Sequence, residues 1–90
     1  MVMSEPVNSD HRRTLERLFG HASENIEWRQ VRSLLEALGA VSEEHNGKLK
    51  VTLGGETEIL HPPHGKDVDP QMIVDLRRML RRAGFAPAGP

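Results

Sequence analysis

Hydrophobic positions along this chain repeat every three or four residues, then every second residue, then every three or four again. Trp28, Val31, Leu34, Leu35 and Leu38 follow the i, i+3, i+4, i+7 spacing of a helix that buries one face. Asn25 is placed to cap its start, and Gly39 to close it in a left-handed conformation. Ahead of it, Leu15, Leu18 and Phe19 form a shorter stripe on a helix from His11 to Phe19. Ser9 or Asp10 serves as its N-cap, Gly20 ends it, and His21 to Asn25 form a connector.

Beyond Gly39 the period falls to two. Lys48-Leu49-Lys50-Val51-Thr52-Leu53 alternates as a half-buried strand does. Asn46-Gly47 is a strong two-residue hairpin signal, which makes Ala40 to His45 the antiparallel partner. A turn of that length sets Val41 on the face opposite Leu49, so the facing of the first strand stays open. Gly54-Gly55 opens a second turn into Thr57–Leu60. A three-residue loop, Gly54-Gly55-Glu56, is expected there, because it aligns Ile59 with Val51 and His61 with Leu49; a two-residue loop turns Ile59 away. The prolines of His61-Pro62-Pro63-His64-Gly65 stop the sheet.

Asp69 then caps a last helix with Pro70 at its first position. Met72, Ile73, Leu76, Met79, Leu80 and Ala83 fill one face of that helix, and Gly84 ends it. The order is α-α-β-β-β-α. It predicts one α+β domain over residues 9 to 85, with a three-stranded antiparallel sheet, helices on one face, and flexible ends at 1 to 8 and 86 to 90.

Composition narrows the setting. With 37% hydrophobic and 28% charged residues the chain has the profile of a folded domain. It has no cysteine, which excludes disulfides and thiolate metal sites and suits a reducing, cytoplasmic location. The first residues lack the basic and apolar regions of a signal peptide, and no apolar run approaches the ~18 residues of a membrane span, so no membrane association is expected. A formal net charge of −1 confines any nucleic-acid binding to a local patch.

Such a patch is offered by the last helix. From Gln71 to Arg82, Arg77, Arg78, Arg81 and Arg82 stand against Asp75 alone, a balance of +3, with Val74 among them. Basic residues also suit a helix C-terminus for electrostatic reasons. Lys48 and Lys50 on the outward face of a strand, with His64 and Lys66 in the loop, are further phosphate candidates. Alternating lysines also protect a strand from aggregation. His61 and His64 flank two prolines without the third ligand and supporting carboxylate a metal needs, so neither metal nor other cofactor is expected. His45, at the hairpin turn near Lys48, is the one weak candidate for acid–base catalysis on RNA. No phosphate-cradling glycine loop, nucleophile triad or sheet-borne aromatic platform is present, and no small-molecule substrate is expected.

Val31-x-x-Leu34-Leu35-x-x-Leu38-Gly39, Pro62-x-His64-Gly65-Lys66 and the closing Leu80-x-x-Ala83-Gly84-Phe85 resemble, in order and spacing, the HicA family over about Ile26 to Phe85. Those proteins are messenger-RNA interferase toxins with a double-stranded-RNA-binding-like α-β-β-β-α fold, neutralised by HicB antitoxins. The resemblance implies that fold here, with an extra N-terminal helix, and an RNA and a HicB-like protein as partners. The family's catalytic Gly-Ser/Thr-His triplet falls on Gly47-Lys48-Leu49, where leucine replaces the histidine. Three readings follow: an RNA-binding protein of toxin–antitoxin type without ribonuclease activity, an active interferase using His45, and an interaction module that binds an acidic protein through the arginine face.

Overall fold

The computed structural model describes residues 9 to 20 and 25 to 85; the expected flexible ends and most of the first connector lie outside them. Helix α1 spans Ser9–Phe19, α2 Trp28–Leu38 and α3 Pro70–Arg82. Strands β1 (Ala40–Glu43), β2 (Leu49–Leu53) and β3 (Glu56–Leu60) form an antiparallel sheet in the order β1-β2-β3. This is the expected α+β arrangement of three helices and a three-stranded sheet.

One apolar cluster unites the elements. Leu49, Val51, Leu53 and Leu60 present one face of the sheet to Val31, Leu34 and Leu35 of α2 and to Leu76, Met79 and Leu80 of α3, all buried. Helix α2 packs on β1 and β2, whereas α1 packs on α2 and α3 rather than on the sheet, adding Leu18 to the core. Arg32 fastens α2 to the edge of β1, bonding Glu36 at 3.1 Å and Glu43 at 3.3 Å. The Glu36 bond, followed by that of Glu43, holds the Arg32 guanidinium above its ordinary range. Among the described residues, no helix packs on the outer sheet face, which carries Ala40, Ser42, Lys50, Thr52, Thr57 and Ile59.

The caps differ in detail from expectation. Asp69 accepts from the Met72 amide at 2.8 Å, with Pro70 next to it, as its sequence predicts. Helix α3 closes with the amides of Gly84 and Phe85 bonded to the carbonyls of Arg81 and Leu80. At α2 the N-cap is Glu27 rather than Asn25, because Gln30 reaches back to accept from the Glu27 amide at 3.2 Å. Gly39 is extended, not left-handed. Its lack of a side chain serves close approach, since a Cβ there would stand 2.1 Å from the Thr52 carbonyl oxygen.

Both hairpin lengths are the reverse of the sequence expectation. Glu44 bonds Lys48 across a three-residue loop, His45-Asn46-Gly47, in which Gly47 is left-handed at φ 87°. The extra residue turns Val41 to oppose Val51 and share its face, which resolves the open facing of β1. In the second hairpin Gly54 and Gly55 both have positive φ, forming a two-residue turn whose twist suits the strands. Glu58 therefore opposes Val51, Leu60 opposes Leu49, and Ile59 opposes Lys50 on the outer face, 47% exposed. Glu58 is accommodated on the inner face by Arg82 of α3, 3.9 Å away.

Candidate functional site

Charge is divided between the layers of this fold. The three helices together hold nine arginines and four acids, a balance of +5, whereas Ala40 to Leu60 holds four glutamates and two lysines, a balance of −2. A chain of net −1 thus folds into a basic helical side and an acidic sheet.

Within the helical side, the four arginines of α3 point in different directions. Arg77 turns toward α1: its Nε donates to the Leu18 carbonyl and its Nη2 donates to the Gly20 carbonyl at 3.2 Å. Those acceptors belong to the C-terminal turn of α1, where the helix leaves carbonyls without partners and carries partial negative charge. Arg81, one turn on, lies over the Phe19 ring with its guanidinium carbon 5.3 Å from the centroid. Arg78 pairs with Asp75 at 3.0 Å and Arg82 with Glu58. These last two pairs are at the surface, where a pair contributes roughly 0–1 kcal/mol and exchanges readily for another anion.

The other candidates fall elsewhere. Lys50 stands on the outer sheet face and Lys48 just ahead of β2, across the sheet from the arginines. His64 is exposed in the loop before α3, and Lys66 follows it. His45 is exposed on the first hairpin loop, and Leu49, at the position of the interferase histidine, is 1% exposed in the core. Among the described residues no group of three or more histidines or carboxylates is placed to hold a metal.

A second basic tract is assembled from segments far apart in sequence. The amide of Val68 donates to the Ile26 carbonyl at 2.9 Å and that of Trp28 to the Lys66 carbonyl at 2.8 Å. These bonds stitch the Pro62–Asp69 loop to the start of α2 and set Lys66 beside Trp28. A cleft of about 400 Å³ results, lined by Trp28, Arg29, Glu27, Gly65 and Lys66. Its carboxylate, Glu27, holds Arg29 at 2.9 Å and Lys66 at 4.0 Å.

Arg29 also lines a neighbouring cleft of about 410 Å³ between α1 and α2, with Arg13, Arg17, His11, Ser33 and Asp10. The polar stripe of α1, positions 10, 13, 14 and 17, meets the polar stripe of α2 there, and His11 Nε2 lies 2.8 Å from Ser33 Oγ. Neither Trp28 nor these arginines is among the sequence candidates. Trp28 sits on a core stripe, and the tract depends on loop docking that no local pattern encodes. The i, i+4 pair Arg13 and Arg17 was the one visible signal. No protein-family model, no curated protein and no solved structure matches this chain.

Proposed function

We propose that this chain is a HicA-like RNA-binding protein of toxin–antitoxin type that does not cleave RNA. The observation that carries the reading is the +5 balance of the helical side on a chain of net −1. Phosphate contacts supply most non-specific affinity for nucleic acid, and the exposed arginines of the helices are suited to them. The helix, three strands, helix order from Trp28 to Arg82 accords with a double-stranded-RNA-binding-like fold.

Cleavage through the ribose 2′-hydroxyl needs a base for that proton and an acid for the leaving oxygen. Leucine does neither, and Leu49 is sealed beneath the helices. His45 stands on an exposed loop and makes no hydrogen bond or ion pair among the described residues. A substrate there would meet one unoriented imidazole.

The test is RNA binding by purified protein over a range of salt. Binding at low salt that weakens steeply as salt rises, without cleavage, is the expected result. Reversing Arg78, Arg81 and Arg82 together should lower affinity and flatten that dependence. Absence of binding at low ionic strength would overturn the reading. Metal-independent cleavage abolished by His45→Ala would establish the interferase instead.

A second reading is favoured by one observation. Val74, 49% exposed, stands near Arg77 and Arg78 on α3, an apolar centre in a basic rim. An acidic protein such as a HicB-like antitoxin would fit it. Val74→Ser, which removes the apolar centre without adding charge, should weaken capture of such a partner while leaving RNA affinity unchanged.

A further inference from the structure

The RNA-binding reading leaves open which form of RNA the helical side takes. We infer that the two clefts meeting at Arg29 bind one unpaired nucleotide of single-stranded RNA, its base against Trp28 and its phosphate among Arg13, Arg17 and Arg29. This inference rests on the proposed RNA binding and adds the strand form and the site.

Shape supports it. Each of the two is an open cleft of about 400 Å³, on the scale that admits one small ligand. Trp28 is half-buried, so its position is held by the core while the residue also lines the open cleft. A duplex keeps its bases stacked on one another, whereas a single strand can turn a base out onto an aromatic ring. Such stacking tolerates any base, because each has a π-face.

Charge supports it as well. Among the described residues lining the inter-helix cleft are three guanidiniums, the His11–Ser33 pair and one carboxylate, Asp10, and Arg29 is bonded also to Glu27 of the adjoining cleft. Guanidiniums present paired donors that match phosphate oxygens. Arg29 is exposed over 85% of its side chain and belongs to both clefts, so it stands between the base position and the phosphate position. Trp28 and Arg29 are adjacent on the first turn of α2, where successive residues diverge around the axis and so serve neighbouring clefts. Lys66, brought in by the docked loop, borders the base cleft on the other side.

Trp28 is the only tryptophan of the chain, so its fluorescence reports on this site alone. Titration with a short single-stranded oligoadenylate carrying a terminal dye reads tryptophan quenching and dye anisotropy together; its duplex with oligouridylate is the comparison. The expected result is quenching that tracks the anisotropy for the single strand, and no quenching by the duplex. Arg13→Glu and Arg29→Glu, both at exposed positions, should each weaken single-strand binding tenfold or more with the circular dichroism spectrum unchanged. Trp28→Leu, which preserves an apolar contact with the core, should weaken it about five- to a hundredfold. RNA binding without quenching, with affinity unaffected by Arg13→Glu and Arg29→Glu, would overturn this site and leave RNA binding itself standing. Equal quenching by the duplex would overturn the strand preference. No anisotropy change with either RNA would overturn both this inference and the functional reading beneath it.

Discussion

Arg77 and Arg29 both extend from helices that pack against α1, but they end in different surroundings. Arg77 is half-buried and bonded to two backbone carbonyls at the end of α1. Arg29 is exposed between two clefts and is bonded, among the described residues, to the Glu27 carboxylate. In sequence the first belongs to a conspicuous run of four arginines and the second stands alone beside a tryptophan. The difference shows that density of charge in a sequence does not measure availability of charge at a surface. A guanidinium can be consumed by the fold's own unpaired acceptors, and such acceptors concentrate at helix ends.

The largest effect expected is on the scaffold common to both. Leu76 is fully buried between α3 and the rest of the core. Leu76→Ala should cost about 2–5 kcal/mol in denaturant unfolding. Both arginine groups would lose their placement together; a change near zero would mean that α3 is not seated as described.

A sharper contrast comes from the arginines themselves. Arg77→Ala leaves the Leu18 and Gly20 carbonyls without their charged donor and should cost about 1–3 kcal/mol, with exchange protection lost first in α1. Arg13→Ala, at an exposed position, should change stability by no more than about 0.5 kcal/mol. Binding should invert the order. For single-stranded RNA, Arg13→Ala and Arg29→Ala should each reduce the salt slope and together reduce it by up to about 0.7, the share of the one phosphate they hold, while Arg77→Ala in the folded protein leaves it unchanged. Equal effects of the three on both measurements would erase the distinction.

The sequence shows clearly those parts of the fold that rest on local chemistry. The stripes of α2 and α3, the Asp69–Pro70 cap and the alternation of β2 all appear where periodicity and capping place them. The hairpin lengths are not legible locally, because Ile59 is as apolar a choice for the inner face as Leu60, and the fold buries Leu60 and seats Glu58 against Arg82, a partner 24 positions away. Gly39 was visible as a helix end, but its purpose depends on the approach of Thr52 from another strand. The basic tract was hidden for a similar reason. It needs the Lys66 segment docked on Ile26 and Trp28, and α1 laid against α2, neither of which has a local signature.

The smallest effect concerns Glu27, the carboxylate between the cations of the base cleft. It holds Arg29 at 2.9 Å and Lys66 at 4.0 Å, and a phosphate bound at the proposed site would compete with it for Arg29. Glu27→Gln keeps the backbone amide that Gln30 caps and removes only the charge. Surface pairs of this kind contribute about 0.2–1 kcal/mol, so their release should tighten single-stranded RNA binding about two- to fivefold. Stability should fall by no more than the same small amount. The gain should shrink as salt rises, because salt screens the pair that the substitution removes. Weaker binding by Glu27→Gln would instead assign the carboxylate to positioning Arg29 and Lys66 for the ligand. Unchanged binding at every salt concentration would mean that RNA does not reach these two cations, and Arg29 would then stand with Arg77 as a residue of the fold.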